Sequence, residues 1–229
     1  MSAVLLGGAG RWTDPWHPFA ETNAAIAEIA ADAGVPLEQP DDVDTALAGF
    51  ASGPLPSLVV VNVGLPRDDR PVPLTDGARG FHRLLASPVP LLVLHVSTTS
   101  FADDDAWERA VGGVWVRGTT MHPPYGTARV RVVDDEHPIT AGSSDFTLED
   151  ERYTHLRVAP DVRVLLEHEH EGERHPLAWV HERAGGGTTV HDALGHSAAS
   201  FASPEHRAFL RRALVFLTRS RGALVLLTR

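Results

Sequence analysis

Three histidines lie where predicted buried strands end. His95 directly follows the apolar run at residues 90–94, and His17 and His196 each come shortly after a similar run. Short unbroken apolar runs predict strands buried on both faces, as in a parallel sheet. Ligands of open α/β sheets bind beyond the carboxyl ends of the strands. We therefore expect the three imidazoles to face one crevice if their strands are parallel neighbours.

Imidazoles that share a crevice suit two kinds of chemistry. They act as general acids and bases near neutral pH, and they bind divalent metals of the zinc type. His122 and Glu151 lie in later segments that are expected to roof the crevice, and Glu151 would add a carboxylate that either chemistry can use. For each histidine, a buried or solvated ring without a role stays an alternative.

The candidate residues divide by role. The predicted catalytic residues are His95, Glu151 and His196. The predicted substrate-binding residues are His17, His122, Tyr153, Trp16 and Thr98. The candidate metal ligands are His17, His95 and His196, although the chain has no compact metal motif such as H-E-x-x-H. Thr98 belongs to a run of hydroxyl residues after His95, which either bind substrate or satisfy the backbone of their own turn.

The composition excludes several classes of chemistry. The chain has no cysteine, and all of its 20 basic residues are arginine. Thiol nucleophiles, disulfides, lysine Schiff bases and a P-loop lysine are therefore absent. The formal net charge of −10 argues against binding to nucleic acids and to anionic membranes. Without a signal peptide or an apolar run of about 18 residues, the protein is expected to be cytoplasmic.

Elements that would position these residues follow from the apolar pattern. The 229 residues suffice for one sizeable α/β domain, which we expect to span residues 1–229. Buried strands are predicted at residues 4–6, 58–63, 90–94 and 188–194. Helices are predicted at 20–33, 42–50, 75–85 and 101–111, and a last helix should begin with Ser203 as its cap and Pro204 at its first position.

The pattern changes after residue 113. Residues 128–133 alternate in polarity, and residues 162–166 and 176–180 predict two strands of a hairpin. The alternating carboxylates and imidazoles at 167–171 are expected to form a solvated hairpin tip with only incidental metal affinity. Residues 213–219 nearly recur at 223–229, so 219–229 is an extension that would either pack on a partner subunit or extend the rim of the domain.

A set of short motifs, in this order along the chain, resembles the ThuA-like (trehalose-utilisation) proteins. The motifs cover about two thirds of the chain and are His17-Pro18, the strand ending at Asn62, Leu94-His95, Gly112-Gly113, Gly118, His122-Pro123, the run from His137 to Gly142, Asp145-Phe146, the run from Asp150 to Tyr153, the run from Pro176 to Trp179, and Leu194-Gly195-His196. One departure is the run from Ala184 to Thr188, where the family tends to have basic residues.

The resemblance implies a fold and a loss of one activity. The implied fold is a three-layer, flavodoxin-like α/β fold similar to class I glutamine amidotransferases, with a mostly parallel central sheet and here an added β-hairpin region. Amidotransferases carry a cysteine nucleophile at the elbow after their central strand. The corresponding position is at or near His95, and the chain has no cysteine, so glutaminase chemistry by that route is excluded.

The resemblance also implies a substrate class. Family members are associated with the catabolism of trehalose and related disaccharides, acting with sugar dehydrogenases on oxidised sugars. We therefore expect an enzyme that hydrolyses or eliminates a glycosidic bond of a keto-disaccharide, by acid–base chemistry of His95 and Glu151 or with a metal. The alternatives are a non-catalytic sugar-binding or regulatory partner of a dehydrogenase, and a scaffold used for assembly, including a homo-oligomer.

Overall fold

The computed structural model describes residues 2–226 and the side chains of residues 2–219. These residues contain eleven strands and seven α-helices; strands and helices alternate in the first half of the chain, and antiparallel strands dominate the second half. The strands are β1 (Ala3–Gly7), β2 (Leu37–Glu38), β3 (Leu58–Asn62), β4 (Leu91–Leu94), β5 (Gly113–Val114), β6 (Gly126–Val132), β7 (Phe146–Asp150), β8 (Arg157–Val158), β9 (Arg163–His170), β10 (Glu173–Glu182) and β11 (Thr188–Asp192). The helices are α1 (Phe19–Asp32), α2 (Val43–Gly49), α3 (Thr75–Leu85), α4 (Ser97–Ser100), α5 (Asp105–Val111), α6 (Ala198–Ala202) and α7 (Pro204–Leu226).

Nine of these strands form one mixed sheet in the order β2-β1-β3-β4-β11-β10-β9-β6-β7. The five strands from β2 to β11 are parallel to one another and form the central part of the fold. The strands β10, β9, β6 and β7 continue the sheet with antiparallel pairing. This second part is the predicted hairpin region, extended by two further strands.

Helices cover both faces of the parallel strands, which makes three layers. Leu5, Val60 and Leu92 face α1, α6 and α7 in one buried cluster. Their chain neighbours on the same strands face α2, α3 and α5 in the other cluster. Because side chains on a strand alternate between faces and both faces are covered, every residue of β1, β3 and β4 is buried. This burial on both faces explains the unbroken apolar runs of the sequence.

The hairpin region differs from the sequence prediction. Strands β9 and β10 run much further than expected, and the reversal is at Glu171 and Gly172, both with positive φ. Glu167 and His168, expected on a solvated tip, lie within β9 and are only 9% and 0% exposed. For these two residues the prediction was wrong, because β9 pairs with β6 as well as β10, while Glu169 and Glu171 are exposed as predicted.

Helices α7 and α5 can be compared with their predicted bounds. The last helix begins as predicted, because Ser203 Oγ accepts a hydrogen bond from the backbone N–H of His206 at 3.3 Å and Pro204 is the first helical residue. The extension predicted at 219–229 continues α7 as far as Leu226, and residues 227–229 lie outside the described residues. Helix α5 begins at Asp105, later than predicted, with Asp104 as its cap. Among residues 2–226, none of the helices has the length and hydrophobicity that a transmembrane span needs.

Candidate active site

The carboxyl ends of parallel strands bring the three predicted histidines together. His95 directly follows β4, while His17 and His196 lie in the loops after β1 and β11. The ring centroids are 5.1 Å apart for His17 and His95, 4.8 Å for His17 and His196, and 5.7 Å for His95 and His196. The predicted convergence at one edge of the sheet is confirmed; the role of each residue stays a prediction.

His95 occupies a strained turn between β4 and α4. Its φ is 43°, a left-handed conformation that costs a non-glycine residue about 1 kcal/mol or more. Two hydrogen bonds to the end of β11 hold it, from its backbone N–H to Asp192 O (2.7 Å) and from its ring Nδ1 to Ala193 O (2.7 Å). Because a carbonyl oxygen only accepts, Nδ1 carries a proton, and Nε2 lies 3.1 Å from the Tyr153 hydroxyl.

Glu151 lies at the centre of the imidazole cluster. Its Oε2 is 3.3 Å from His196 Nδ1 and 3.6 Å from His95 Nε2, and its Oε1 is 3.6 Å from His122 Nε2. Burial by itself would raise the pKa of Glu151, but the contacts with His196 and His95 outweigh it and lower that pKa well below its usual range. The same contact with Glu151 raises the pKa of His196. The cluster thus favours a carboxylate beside a protonated imidazole.

His17 is oriented by a carboxylate that the sequence analysis missed. Its Nδ1 is 2.7 Å from Oδ1 and 2.9 Å from Oδ2 of Asp14, and Oδ1 also accepts the backbone N–H groups of Trp16 and His17. Burial lowers the pKa of His17, although Asp14 opposes the shift. Its Nε2 is buried and has no hydrogen-bond partner among residues 2–226. Asp14 precedes His17 by three residues in one loop, and this spacing is the signal that could have identified it.

A second carboxylate, Asp150, ties together the segments that carry Glu151 and His196. It is fully buried at the end of β7. Its Oδ1 accepts the N–H groups of Glu151 (2.9 Å) and His196 (3.0 Å), and its Oδ2 accepts the N–H of Gly195 (2.8 Å). The sequence has no separate signal for this role, because it depends on contacts between residues 45 and 46 positions apart.

The cluster opens into a cavity of about 910 Å³. The predicted residues among its lining are His17, His122, Glu151, Tyr153, His196 and Trp16. Trp16 is 58% exposed, and the guanidinium carbon of Arg67 lies 4.2 Å above the centroid of the Trp16 ring. Arg67, Arg117 and Trp115 also line the cavity, and the position of the two arginines was not predicted from the sequence.

Two predicted residues do not line this cavity. Thr98 is fully buried, and its hydroxyl donates to His95 O at 3.1 Å. The prediction that it binds substrate is therefore wrong, because the hydroxyl satisfies the backbone of its own turn. His95 is 1% exposed and lies behind Glu151 and Tyr153, so it reaches a bound molecule only through its neighbours or through a shared metal.

The donor set fits a zinc-type metal. One donor atom from each of His17, His95, His196 and Glu151 lies within 4.8 Å of all the others. Asp14 and the carbonyl of Ala193 each bind Nδ1 of one ring, as outer contacts of metal-binding histidines commonly do. Nε2 of His17 is without a partner among the described residues, whereas a metal on Nε2 of His95 would displace the Tyr153 hydroxyl. Three imidazoles with one carboxylate are ligands that Zn²⁺ accepts.

Comparisons with known proteins indicate a family and a fold. The sequence model of the ThuA family, described as trehalose utilisation, matches residues 15–217. A search against curated protein sequences found no match. Of the solved structures, a protein described as ThuA-like from Parabacteroides merdae is similar with a TM-score of 0.74 and 14% identity, over 95% of this chain and 89% of that one.

Two further structures have the same fold. A protein described as ThuA-like from Bacteroides uniformis has a TM-score of 0.71 and 14% identity, over 94% of this chain and 90% of that one. A protein described as part of a GMP synthase from Thermoplasma acidophilum has a TM-score of 0.58 and 13% identity, over 98% of this chain and 96% of that one. The predicted glutamine amidotransferase-like, flavodoxin-type fold is thus confirmed.

Proposed function

The chain belongs to the ThuA family, described as trehalose utilisation, and from this premise we propose that its cavity binds an oxidised disaccharide and breaks the glycosidic bond. The substrate would be a keto-disaccharide such as a keto derivative of trehalose. The observation that carries the proposal is the Glu151 carboxylate, held within 3.6 Å of three imidazoles in the wall of the cavity. A sugar dehydrogenase is the class of enzyme that must supply such a substrate.

The proposed reaction is an elimination that needs no covalent nucleophile. A C–H bond next to the keto group is acidic, and the Glu151 carboxylate in the wall of the cavity accepts that proton. The electron pair forms a double bond to the anomeric carbon, and the bond from that carbon to the glycosidic oxygen breaks. The departing oxygen takes a proton from His196, whose pKa Glu151 raises. Addition of water to the double bond would complete a net hydrolysis.

The remaining residues would position these two groups and the sugar. Burial raises the pKa of Tyr153 well above its usual value, so its hydroxyl stays protonated and holds His95 Nε2. His95 in turn lies against Glu151 Oε2 and fixes the direction of the carboxylate. Trp16 and Trp115 offer apolar ring faces in the cavity, which sugars commonly use as platforms.

The metal candidates give the proposal a second form. His17, His95 and His196 would hold a zinc-type ion and leave Glu151 as the base. Such an ion, when bound, polarises a carbonyl group as a Lewis acid. In this form His122, 3.6 Å from the other oxygen of Glu151, is the imidazole left to donate the proton to the departing sugar.

The test compares turnover of keto-trehalose by the wild type, Glu151→Gln and His82→Asn. His82 is an exposed histidine outside the cavity, so its variant should keep wild-type turnover. Glu151→Gln should lose about 10²- to 10⁴-fold in kcat, the range that a general base contributes. Deuterium on the carbon next to the keto group should slow the wild type through a primary isotope effect.

Three outcomes would overturn the proposal in different ways. Turnover by Glu151→Gln at the wild-type rate would show that Glu151 is not the general base. Tight binding of keto-trehalose without turnover would identify a non-catalytic sugar-binding partner of a dehydrogenase. No thermal shift with any disaccharide would identify a scaffold that uses the fold for assembly.

A further inference from the structure

A second cluster of metal-ligating side chains lies on the hairpin region, away from the cavity. His155 follows the segment that carries Glu151, and Glu173 and His175 begin β10. One donor atom from each of His155, Glu173 and His175 lies within 4.8 Å of both others. None of these three residues lines the cavity of about 910 Å³. The sequence predicts only incidental metal affinity on this hairpin, and only for residues 167–171.

His175 is the buried member, and one of its nitrogens is unsatisfied. The residue is 6% exposed, and its Nε2 has no hydrogen-bond partner within residues 2–226. Its Nδ1 accepts from the backbone N–H of His155 at 3.4 Å, longer than an ordinary hydrogen bond. Burial lowers the pKa of His175, so the ring is neutral, the form in which histidine binds metals. A buried polar nitrogen without a partner calls for an explanation, and a ligand would supply one.

His155 reaches the cluster through a strained backbone. Its φ is 60°, a conformation that non-glycine residues adopt at a cost, and its ring lies 4.6 Å from that of His175, edge to face. Both His155 and Glu173 are exposed, so an ion can enter from solvent. Two imidazoles and one carboxylate are also the protein ligands of one well-known class of zinc site, in which water takes a further position.

His168 supports the cluster from inside the sheet. Its Nε2 donates to Tyr153 O at 3.0 Å, and its ring centroid is 5.4 Å from that of His175. Burial lowers the pKa of His168 to about 4, so this neighbour is uncharged at neutral pH and does not repel a cation. The contact links β9 to the segment that carries Tyr153 and His155.

We propose that His155, Glu173 and His175 bind a divalent metal ion of the zinc type. The ion would tie the segment after β7, which carries Glu151 and Tyr153, to the start of β10. Binding through Nε2 of His175 moves the proton of its neutral ring to Nδ1, so the 3.4 Å contact from His155 is given up. The inference is independent of the proposed function, because it concerns a separate set of ligands.

The experiment isolates this site from the first one. Protein without an affinity tag and carrying His17→Ala and His196→Ala, which removes two ligands of the cavity site, is titrated with Zn²⁺ by calorimetry. We expect one ion per chain, and slower hydrogen exchange at residues 151–156 when the ion is bound. Adding His155→Ala or His175→Ala should weaken binding by at least tenfold, since each removes one of three ligands.

The control is a histidine away from the hairpin. His82 is exposed on α3 and belongs to neither group of candidate ligands, so His82→Ala should leave the Zn²⁺ affinity unchanged. His155 is exposed, which keeps its variant foldable even if His175→Ala unfolds, and circular dichroism checks both. Failure of the doubly substituted protein to bind Zn²⁺ would overturn the proposal. So would an equal loss of affinity in His82→Ala and His155→Ala.

Discussion

Asp14 gives His17 an orientation that a loop position alone would not. The carboxylate holds Nδ1 of His17, and the buried Nε2 is left to face His95 and His196. Burial opposes the charge of Asp14, but the contacts with His17 and the backbone N–H groups of Trp16 and His17 together outweigh it and lower the pKa of Asp14, so the carboxylate is ionised at neutral pH. Carboxylates in this position raise the basicity of a metal-binding histidine.

This contact predicts the effect of Asp14→Ala on metal affinity. Loss of such an outer partner typically weakens metal binding by about 10- to 100-fold, and we expect a loss in that range for Zn²⁺ at the cavity site. The measurement is a Zn²⁺ titration in protein carrying His155→Ala, which weakens Zn²⁺ binding at the hairpin site. Asp103→Ala, an exposed carboxylate on another loop, is the control and should not change the affinity. Unchanged affinity in Asp14→Ala would show that His17 is not a ligand.

The sequence located side chains at strand ends better than it located their partners. His17, His95 and His196 were predictable because each follows an apolar run whose direction the parallel sheet determines. Thr98 was misplaced because which of three successive hydroxyls faces the cavity depends on the turn of α4. Asp150 was missed because its role exists only once the ends of β7 and β11 meet.

At the scale of elements, Asp150 joins the end of β7 to the loop after β11. It accepts three backbone N–H groups from these two segments, and no side-chain donor is needed. Each segment carries one of the groups of the proposed acid–base pair, Glu151 and His196. The relative position of the pair therefore depends on one buried carboxylate.

Asp150→Asn tests this dependence. The amide keeps one accepting oxygen but turns an N–H toward a backbone N–H, so at least one buried group loses its partner. We expect a loss of about 1–3 kcal/mol in the free energy of unfolding, and a lower turnover of keto-trehalose as Glu151 and His196 separate. Denaturant titration and initial rates measure the two effects.

Glu149→Gln is the matched control for that variant. Glu149 is the preceding residue on β7, points to the opposite face and is exposed. Its substitution should change neither unfolding nor turnover by more than a small amount. Equal effects of the two variants would mean that β7, and not the Asp150 carboxylate, holds the segments.

Strand pairing explains why the hairpin region was predicted less well than the parallel strands. A parallel strand covered on both faces has an apolar signature that is visible in the sequence alone. The polar residues of β9 are covered only because β6 pairs beside them, and Glu167 is balanced there by Arg131 at 3.3 Å and Arg174 at 3.4 Å. These partners are distant in sequence, so the pattern at 167–171 by itself predicts an exposed tip.

At the scale of the whole molecule, buried histidines couple stability to pH. His191 is fully buried in β11, 4.2 Å from the ring of Trp179, and its Nδ1 donates to Val93 O at 3.0 Å. Its Nε2 is buried without a hydrogen-bond partner in the described part of the chain. Burial lowers the pKa of His191 to about 3. The folded protein therefore holds this ring in its neutral form down to strongly acidic pH.

The sign of the coupling follows from the two pKa values of His191. In the unfolded chain the ring titrates near pH ~6.5, and in the folded chain it titrates at about 3. Between these values the unfolded state binds more protons, so stability is fully present above pH ~6.5 and is lost as the pH falls toward ~3. For this group the free energy of unfolding should fall by about 1.4 kcal/mol per pH unit within the window.

His191→Gln removes this titration while its amide can still donate toward Val93 O. The free energy of unfolding, measured with urea at several pH values between about 4 and 7, should fall less steeply in the variant than in the wild type. The reduction in slope should approach 1.4 kcal/mol per pH unit, whatever the variant loses at neutral pH. His82→Asn, at an exposed histidine, should keep the wild-type slope. A wild-type slope in His191→Gln would mean that His191 takes up its proton in the folded state, and that this part of the core admits charge.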